Sequence, residues 1–238
     1  MAKLMRTIFK KIEGRFFPAA SVDSARPLYW LRDFDVDSII DIGSNEGQFA
    51  QTIRRVFPET NLFCFEPLKQ PHDILHNKMS LLGSIRIFQC ALGQADGQAE
   101  MHHCQFSPSS SLLEMDKLHK DAFPNTVNSV KETVLIRRLD SIPSIRTECQ
   151  KPFIKVDTQG YEMNVILGGI ETFRRAPIIM IEVSYYMLYK NQPLFDEIYG
   201  KLKDLGFYFA GNVDQLNDPS TSKPLQADAI FINKQYES

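Results

Sequence analysis

The sequence has no long apolar run, few cysteines and almost no net charge, and each shortage removes a class of function. No 18 consecutive residues are apolar, so a membrane-spanning helix is not expected. The four cysteines, at 64, 90, 104 and 149, include no pair separated by two residues, which argues against a zinc ribbon or a redox CxxC motif. Cys64 and Cys90 sit in apolar runs and read as small buried reduced thiols. Together with the lack of a signal peptide, they point to a reducing, cytoplasmic setting. With 27 basic and 29 acidic side chains the net charge is -2, so neither a strongly basic nucleic-acid binder nor an acidic tail is in view. No basic patch is interleaved with aromatics, so nucleic acid is not the expected partner.

What the chain does have begins at its N-terminus. Residues 1–17 carry Lys3, Arg6, Lys10, Lys11 and Arg15 against Glu13, with Leu4, Ile8, Ile12 and Phe16 at a spacing of four. That is an amphipathic basic helix. It either docks on the rest of the protein or makes a peripheral contact with an anionic membrane surface or a partner. Residues 1–35 are therefore read as an N-terminal extension, and 36–238 as the main domain.

From there strands and helices alternate. Apolar runs at 38–43, 61–66, 84–90, 152–157 and 177–183 read as buried strands. Residues 71–82, 160–167 and 193–205 carry helical signals, as do Phe49, Ile53 and Val56. Val130 to Leu139 is a further strand. Two late strands, 207–210 and 229–232, are joined by a polar loop without a helical pattern and are expected to pair antiparallel. Residues 105–128 read as a long surface loop with one short helical turn near 112–120, and a loop of that length suits an active-site lid. The expected fold class is α/β, a three-layer, mostly parallel sheet with helices on both faces.

In such sheets ligands bind beyond the carboxyl ends of the strands. Asp41-Ile-Gly-Ser-Asn-Glu-Gly47 stands there, between a strand and a helix. Gly43 and Gly47 permit a tight path and close ligand approach, Asn45 is suited to capping the helix, and Asp41 faces the crevice. Glu66 ends the next strand, 25 residues on, where an acid accepts the hydroxyls of a ribose. A dinucleotide fingerprint starting at Gly43 would need glycines where Asn45 and Gln48 stand. The loop thus fits a nucleoside without a pyrophosphate, which favours S-adenosylmethionine over a nicotinamide dinucleotide. Asp157 and Glu182 end two later strands.

These segments in order, Asp41–Gly47, Phe65-Glu-Pro67, Ala91-Leu-Gly93, Ser110-Ser-Leu112, Arg138-Leu-Asp140, Ile154-Lys-Val-Asp-Thr-Gln-Gly-Tyr-Glu162, Leu167-Gly-Gly169, Ile181-Glu-Val183 and Asp228-Ala-Ile-Phe231, resemble the FkbM-type methyltransferases over about residues 38–233. The resemblance implies a class I, Rossmann-like sheet of seven strands with an antiparallel last strand. It implies an S-adenosylmethionine-dependent enzyme that methylates hydroxyls on small metabolites or glycans. Cofactor contacts are implied from Asp41, Gly43, Ser44, Asn45 and Gly47, from Glu66 with Pro67, and from around Ala91. Ser111 and Asp157 match positions near the transfer site.

Methyl transfer to an alcohol needs in-line positioning and a base for the hydroxyl proton. Asp157 is the first candidate base and Glu182, on the neighbouring strand, its companion. The alternative is that the two hold one Mg²⁺ ion, or that they serve the cofactor and the backbone. His72 and His76 have the spacing of a helical ligand pair but no evident third ligand. One of His102 and His103 is a further candidate base, Lys155 reads as pairing with an acid, and Glu162 as serving a helix N-terminus. Tyr185, Tyr186 and Tyr189 line an acceptor pocket or form a buried cluster. Competing functions are an N-methyltransferase and a catalytically silent nucleoside-binding or scaffold protein.

Overall fold

The computed structural model describes residues 25–79, 83–104, 110–123 and 129–236. The basic helix expected over 1–17 lies outside them. Ten strands are present among the described residues: β1 (Ser38–Ile42), β2 (Asn61–Phe65), β3 (Ile85–Phe88), β4 (Ala91–Leu92), β5 (Gly97–Cys104), β6 (Ser129–Arg137), β7 (Pro152–Val156), β8 (Ile178–Ser184), β9 (Phe207–Asn217) and β10 (Pro224–Asn233). The α-helices are α1 (Gln48–Val56), α2 (Lys69–Met79), α3 (Lys117–Ala122), α4 (Pro143–Glu148), α5 (Glu162–Gly168), α6 (Ile170–Arg175) and α7 (Phe195–Asp204).

Seven strands form one sheet in the order β3-β2-β1-β7-β8-β10-β9. β1, β2, β3, β7 and β8 pair in parallel, and β10 runs antiparallel to both of its neighbours. Period-two alternation sends successive residues to opposite faces. Ile39, Phe153, Ile178 and Ile230 pack with Phe49, Ala50 and Ile53 of α1 and with Leu28 and Leu31 of a 3-10 helix over Arg26–Asp33. Ile40, Ile154, Ile179 and Phe231 pack on the other face with Val165, Ile166, Phe173 and Leu202. Helices thus cover both faces, which is the three-layer architecture expected of the sequence.

Several local expectations change. The late strands are far longer than 207–210 and 229–232: β9 and β10 form a hairpin, with bulges, that absorbs most of the polar stretch between them. Polar residues fit there because β9 is the outer strand and much of it faces water. The expected turn near 112–120 is α3, shifted to Lys117–Ala122. Asn45 does not cap α1. It takes a left-handed conformation at φ 46°, and the cap position falls to Gly47 at φ 89°, with no side-chain bond. A second, small sheet of order β4-β6-β5 went unforeseen, as did α4 and α6.

Candidate active site

The first turn is fixed by contacts that leave no slack. Gly43 and Ser44 donate their backbone N–H groups to Phe65 O, both at 3.0 Å, which joins the end of β1 to the end of β2. The Ser44 hydroxyl donates to Asp41 O at 2.8 Å and accepts from Phe65 N at 3.2 Å, so it shapes the loop. Gly43 has φ 78°, and a Cβ there would lie 1.9 Å from Asp157 O. Only glycine passes between β1 and the end of β7. A Cβ on Gly47 would press on Leu75 of α2 at 2.8 Å.

Glu66 is buried beside this loop. Its two oxygens accept from Asn45 N and Leu68 N, each at 2.9 Å. Burial pushes its carboxyl up to about 7, against the pull of those two amides. Pro67 is half-buried next to it, and Ala91 is buried in β4, packed with Leu68, Val134 and Ile136 of the small sheet.

A buried charge cluster lies on the sheet face covered by α1. Asp41 and Lys155 are register partners, and Lys155 Nζ stands 3.7 Å from Asp41 Oδ1, 3.3 Å from Asp157 Oδ2 and 3.4 Å from Gly43 O. Burial works against the Lys155 charge, but Asp157, Asp41 and Asp228 outweigh it and raise its pKa. Asp41 is fully buried and its carboxyl is raised by that burial. No donor among the described residues makes a hydrogen bond to either of its oxygens.

Asp157 follows β7 directly and faces Glu182 of β8, one register step beyond the Val156–Ile181 pair. Gln159 joins them: its Nε2 donates to Asp157 Oδ1 at 2.8 Å and to Glu182 Oε2 at 2.7 Å. Carboxylates accept only, so the nitrogen end of the amide must face them. Gln159 Oε1 accepts from the hydroxyl of Tyr189 at 2.9 Å, and Gln159 O accepts from Ser111 Oγ at 2.7 Å. From the far side, Gln226 of β10 donates to Glu182 Oε2 at 3.0 Å and to Ser184 Oγ at 3.1 Å. Gln159 has φ 53°, unusual for a side-chain-bearing residue. Buried Glu162 supports that path by accepting from Thr158 N, Thr158 Oγ1 and Gly160 N at 3.0–3.1 Å. Burial raises the Glu162 carboxyl to about 7.

The sequence reading thus finds Asp41, Gly43, Asn45, Glu66, Asp157 and Glu182 gathered at the ends of β1, β2, β7 and β8. Gln159 stands inside the segment Ile154–Glu162 but is given no role of its own there, and Gln226 carries no signal in spacing or residue type. The other candidates scatter. His72 and His76 lie on α2 with ring centroids 6.3 Å apart. His103 lies 3.4 Å from Glu132, while His102 exchanges backbone hydrogen bonds with Ser111. Tyr186 is exposed beneath Lys223, Tyr185 packs on Phe195, and Tyr189 is fully buried. Among the described residues no group of three or more His, Cys, Asp or Glu is set to hold a metal ion, and no helix is long and apolar enough to cross a membrane.

The 2-O-methyltransferase NoeI of Sinorhizobium fredii is 27% identical over 198 residues, covering 81% of this chain and 82% of its own. Methyltransferase sdnD of Sordaria araneosa is 27% identical over 153 residues, 55% of this chain and 59% of its own. The crystal structure of methyltransferase FkbM from Methylobacillus flagellatus superposes with a TM-score of 0.51 at 12% identity, over 82% of this chain and 43% of that one, a likeness of fold. The methyltransferase FkbM domain model matches residues 41–209, and the chain belongs to that family of methyltransferases.

Proposed function

We propose that the protein transfers the methyl group of S-adenosylmethionine to a hydroxyl of a small molecule or glycan. The observation that carries the reading is buried Glu66 held against the Gly43–Gly47 turn, beside an Asp41 carboxylate that Lys155 faces at 3.7 Å. A nucleoside with an amino-acid tail completes the site: ribose hydroxyls donate to the free lone pairs of Glu66, and the tail runs over the glycine turn that follows Asp41.

In this reading Asp41, Gly43, Ser44, Asn45 and Gly47 form the donor's cradle, with Glu66 and Pro67 at the ribose, Ala91 beside the base, and Ser111 and Asp157 near the transferred methyl. Bound S-adenosylmethionine supplies an activated methyl carbon, because its sulfur leaves as a neutral thioether. Asp157 accepts the acceptor's hydroxyl proton as the new oxygen–carbon bond forms. Lys155 and Gln159 keep the Asp157 carboxylate aimed, and Glu182 aligns the acceptor. The Gln159 amide nitrogen already bridges Asp157 and Glu182, so the reaction is assigned to a base and not to a shared Mg²⁺ ion. The acceptor is a hydroxyl, in line with the name of the 2-O-methyltransferase relative. Residues 36–238 form the catalytic domain and the preceding residues an extension.

Calorimetry with S-adenosylmethionine tests the donor, and methyl transfer to a panel of saccharides and phenols tests the acceptor class. Binding, followed by turnover that persists in EDTA, is expected. Absence of binding overturns the donor assignment, and loss of turnover in EDTA overturns the metal-free step.

A further inference from the structure

Three elements converge on the side chain of one residue that is neither a charged group nor part of the glycine turn. Gln159 makes two hydrogen bonds to acids through Nε2 and one to Tyr189 through Oε1, and its carbonyl takes the Ser111 hydroxyl. The residue is 7% exposed, and its left-handed backbone is held by the Glu162 carboxylate beneath it. A strained conformation that the surroundings over-determine is a mark of function.

The surroundings also tie Gln159 to segment 110–123. Ser111 belongs to that segment and accepts from Leu113 N. Tyr189 packs with Met115, Phe123 and Leu188, and its ring lies 5.1 Å from that of His119. Gln192 accepts from Leu188 N and Tyr189 N and donates to Ser184 Oγ, the same oxygen that Gln226 reaches. A continuous buried network therefore runs from segment 110–123 through Tyr189 and Gln159 to Asp157 and Glu182.

We propose that Gln159 is the positioning residue that holds Asp157 and Glu182 as one pair, with Tyr189 fixing which way its amide faces and Ser111 anchoring its backbone. This deepens the donor assignment above and rests on it. The charged and titratable groups around the pair are Lys155 and Glu162 on their own side, Asp41 from β1 and Asp228 from β10, with neutral Gln226 against Glu182.

The test compares two ligands that differ by one methyl group and its positive charge. S-adenosylmethionine and S-adenosylhomocysteine share the nucleoside and the amino-acid tail, so the ratio of their dissociation constants isolates the acids near the sulfur. Calorimetry with both, from pH 5.5 to 8.5, is run on the parent, Gln159→Met, Gln159→Glu and Tyr189→Phe. Loss of one N–H donor at each acid disfavours the charged form of both, so Gln159→Met lowers the preference for the sulfonium and moves the pH midpoint of the ratio upward. Tyr189→Phe leaves the amide in place but free to turn, and moves it less. Gln159→Glu adds a carboxylate and shifts the ratio at pH 8 towards the sulfonium.

A purely structural role would weaken both ligands together and leave the ratio and its midpoint where they were. That outcome, in variants whose melting shows them folded, overturns the inference. If Gln159→Met does not fold, the isosteric Gln159→Glu and the mild Tyr189→Phe decide. A parent protein that binds neither ligand removes the donor assignment itself, a failure distinct from an unmoved ratio.

Discussion

Glu66 accepts two backbone amides before any ligand arrives, and this makes it a sensitive residue. An ionised carboxylate suits that role because both oxygens only accept. In Glu66→Gln one of the two positions becomes an NH₂ group, which faces Asn45 N or Leu68 N donor to donor. A ribose hydroxyl bonded to a charged carboxylate contributes roughly 1.5–3 kcal/mol, so losing that partner should lower affinity for S-adenosylmethionine roughly ten- to hundredfold. Calorimetry reads this directly, and an unchanged dissociation constant would take Glu66 out of the donor site. The position of Glu66 was legible in the sequence because an acid that closes an apolar run is conspicuous. Gln159 was not, since its importance comes from a left-handed backbone and from partners at 111, 182 and 189 that the fold alone brings near.

At the scale of elements, the Gly43 turn is where β1 and β7 come closest. An alanine there meets two obstacles, a backbone at φ 78° and the Asp157 carbonyl 1.9 Å from the new Cβ. Gly83 offers a control: it is also left-handed, at φ 57°, but a Cβ there finds nothing within 4 Å. The conformational cost common to both is about 1–2 kcal/mol. Gly43→Ala should therefore lower the melting temperature clearly more than Gly83→Ala, and should alone abolish donor binding. Equal losses in the two variants would show that the close approach is unimportant. The parallel strands could be read in advance because strands buried on both faces are nearly continuous apolar runs, as in Ile39–Ile42 and Ile178–Val183, interrupted only by Asp41 and Glu182. The small sheet could not. The run at 130–139 does read as a strand and is β6, but β5, with Glu100, His102 and His103 in a half-exposed pattern, is indistinguishable from loop, so the pairing that makes a sheet stays hidden.

The molecule as a whole has acids buried against their preference. Glu66 and Glu162 titrate near 7 in the folded chain, up from an ordinary 4.5. Between those values the folded state holds protons that the unfolded chain has released, so stability declines as pH rises through the window. His119 acts in the opposite sense. Burial lowers it from 6.5 to about 4, so its part of the stability is lost as pH falls towards 4. Above pH 6.5 the histidine is silent and the two acids dominate. Glu162→Gln removes one of them and keeps an acceptor for Thr158 and Gly160. Its melting temperature, relative to the parent without ligand, should climb as pH is raised from 6 to 8. A constant difference would mean that Glu162 is ionised across the range.

The contact between Gly43 and the Asp157 carbonyl has a consequence for divergence within this fold. It welds the half of the crevice assigned to the donor to the strand bearing the assigned base, so neither can drift without the other. Under that assignment the stretches left free to vary are residues 110–123 and 185–194, which pack on one another through Met115, Phe123, Leu188 and Tyr189. These are the pieces to exchange between relatives when a new acceptor is wanted from an old scaffold.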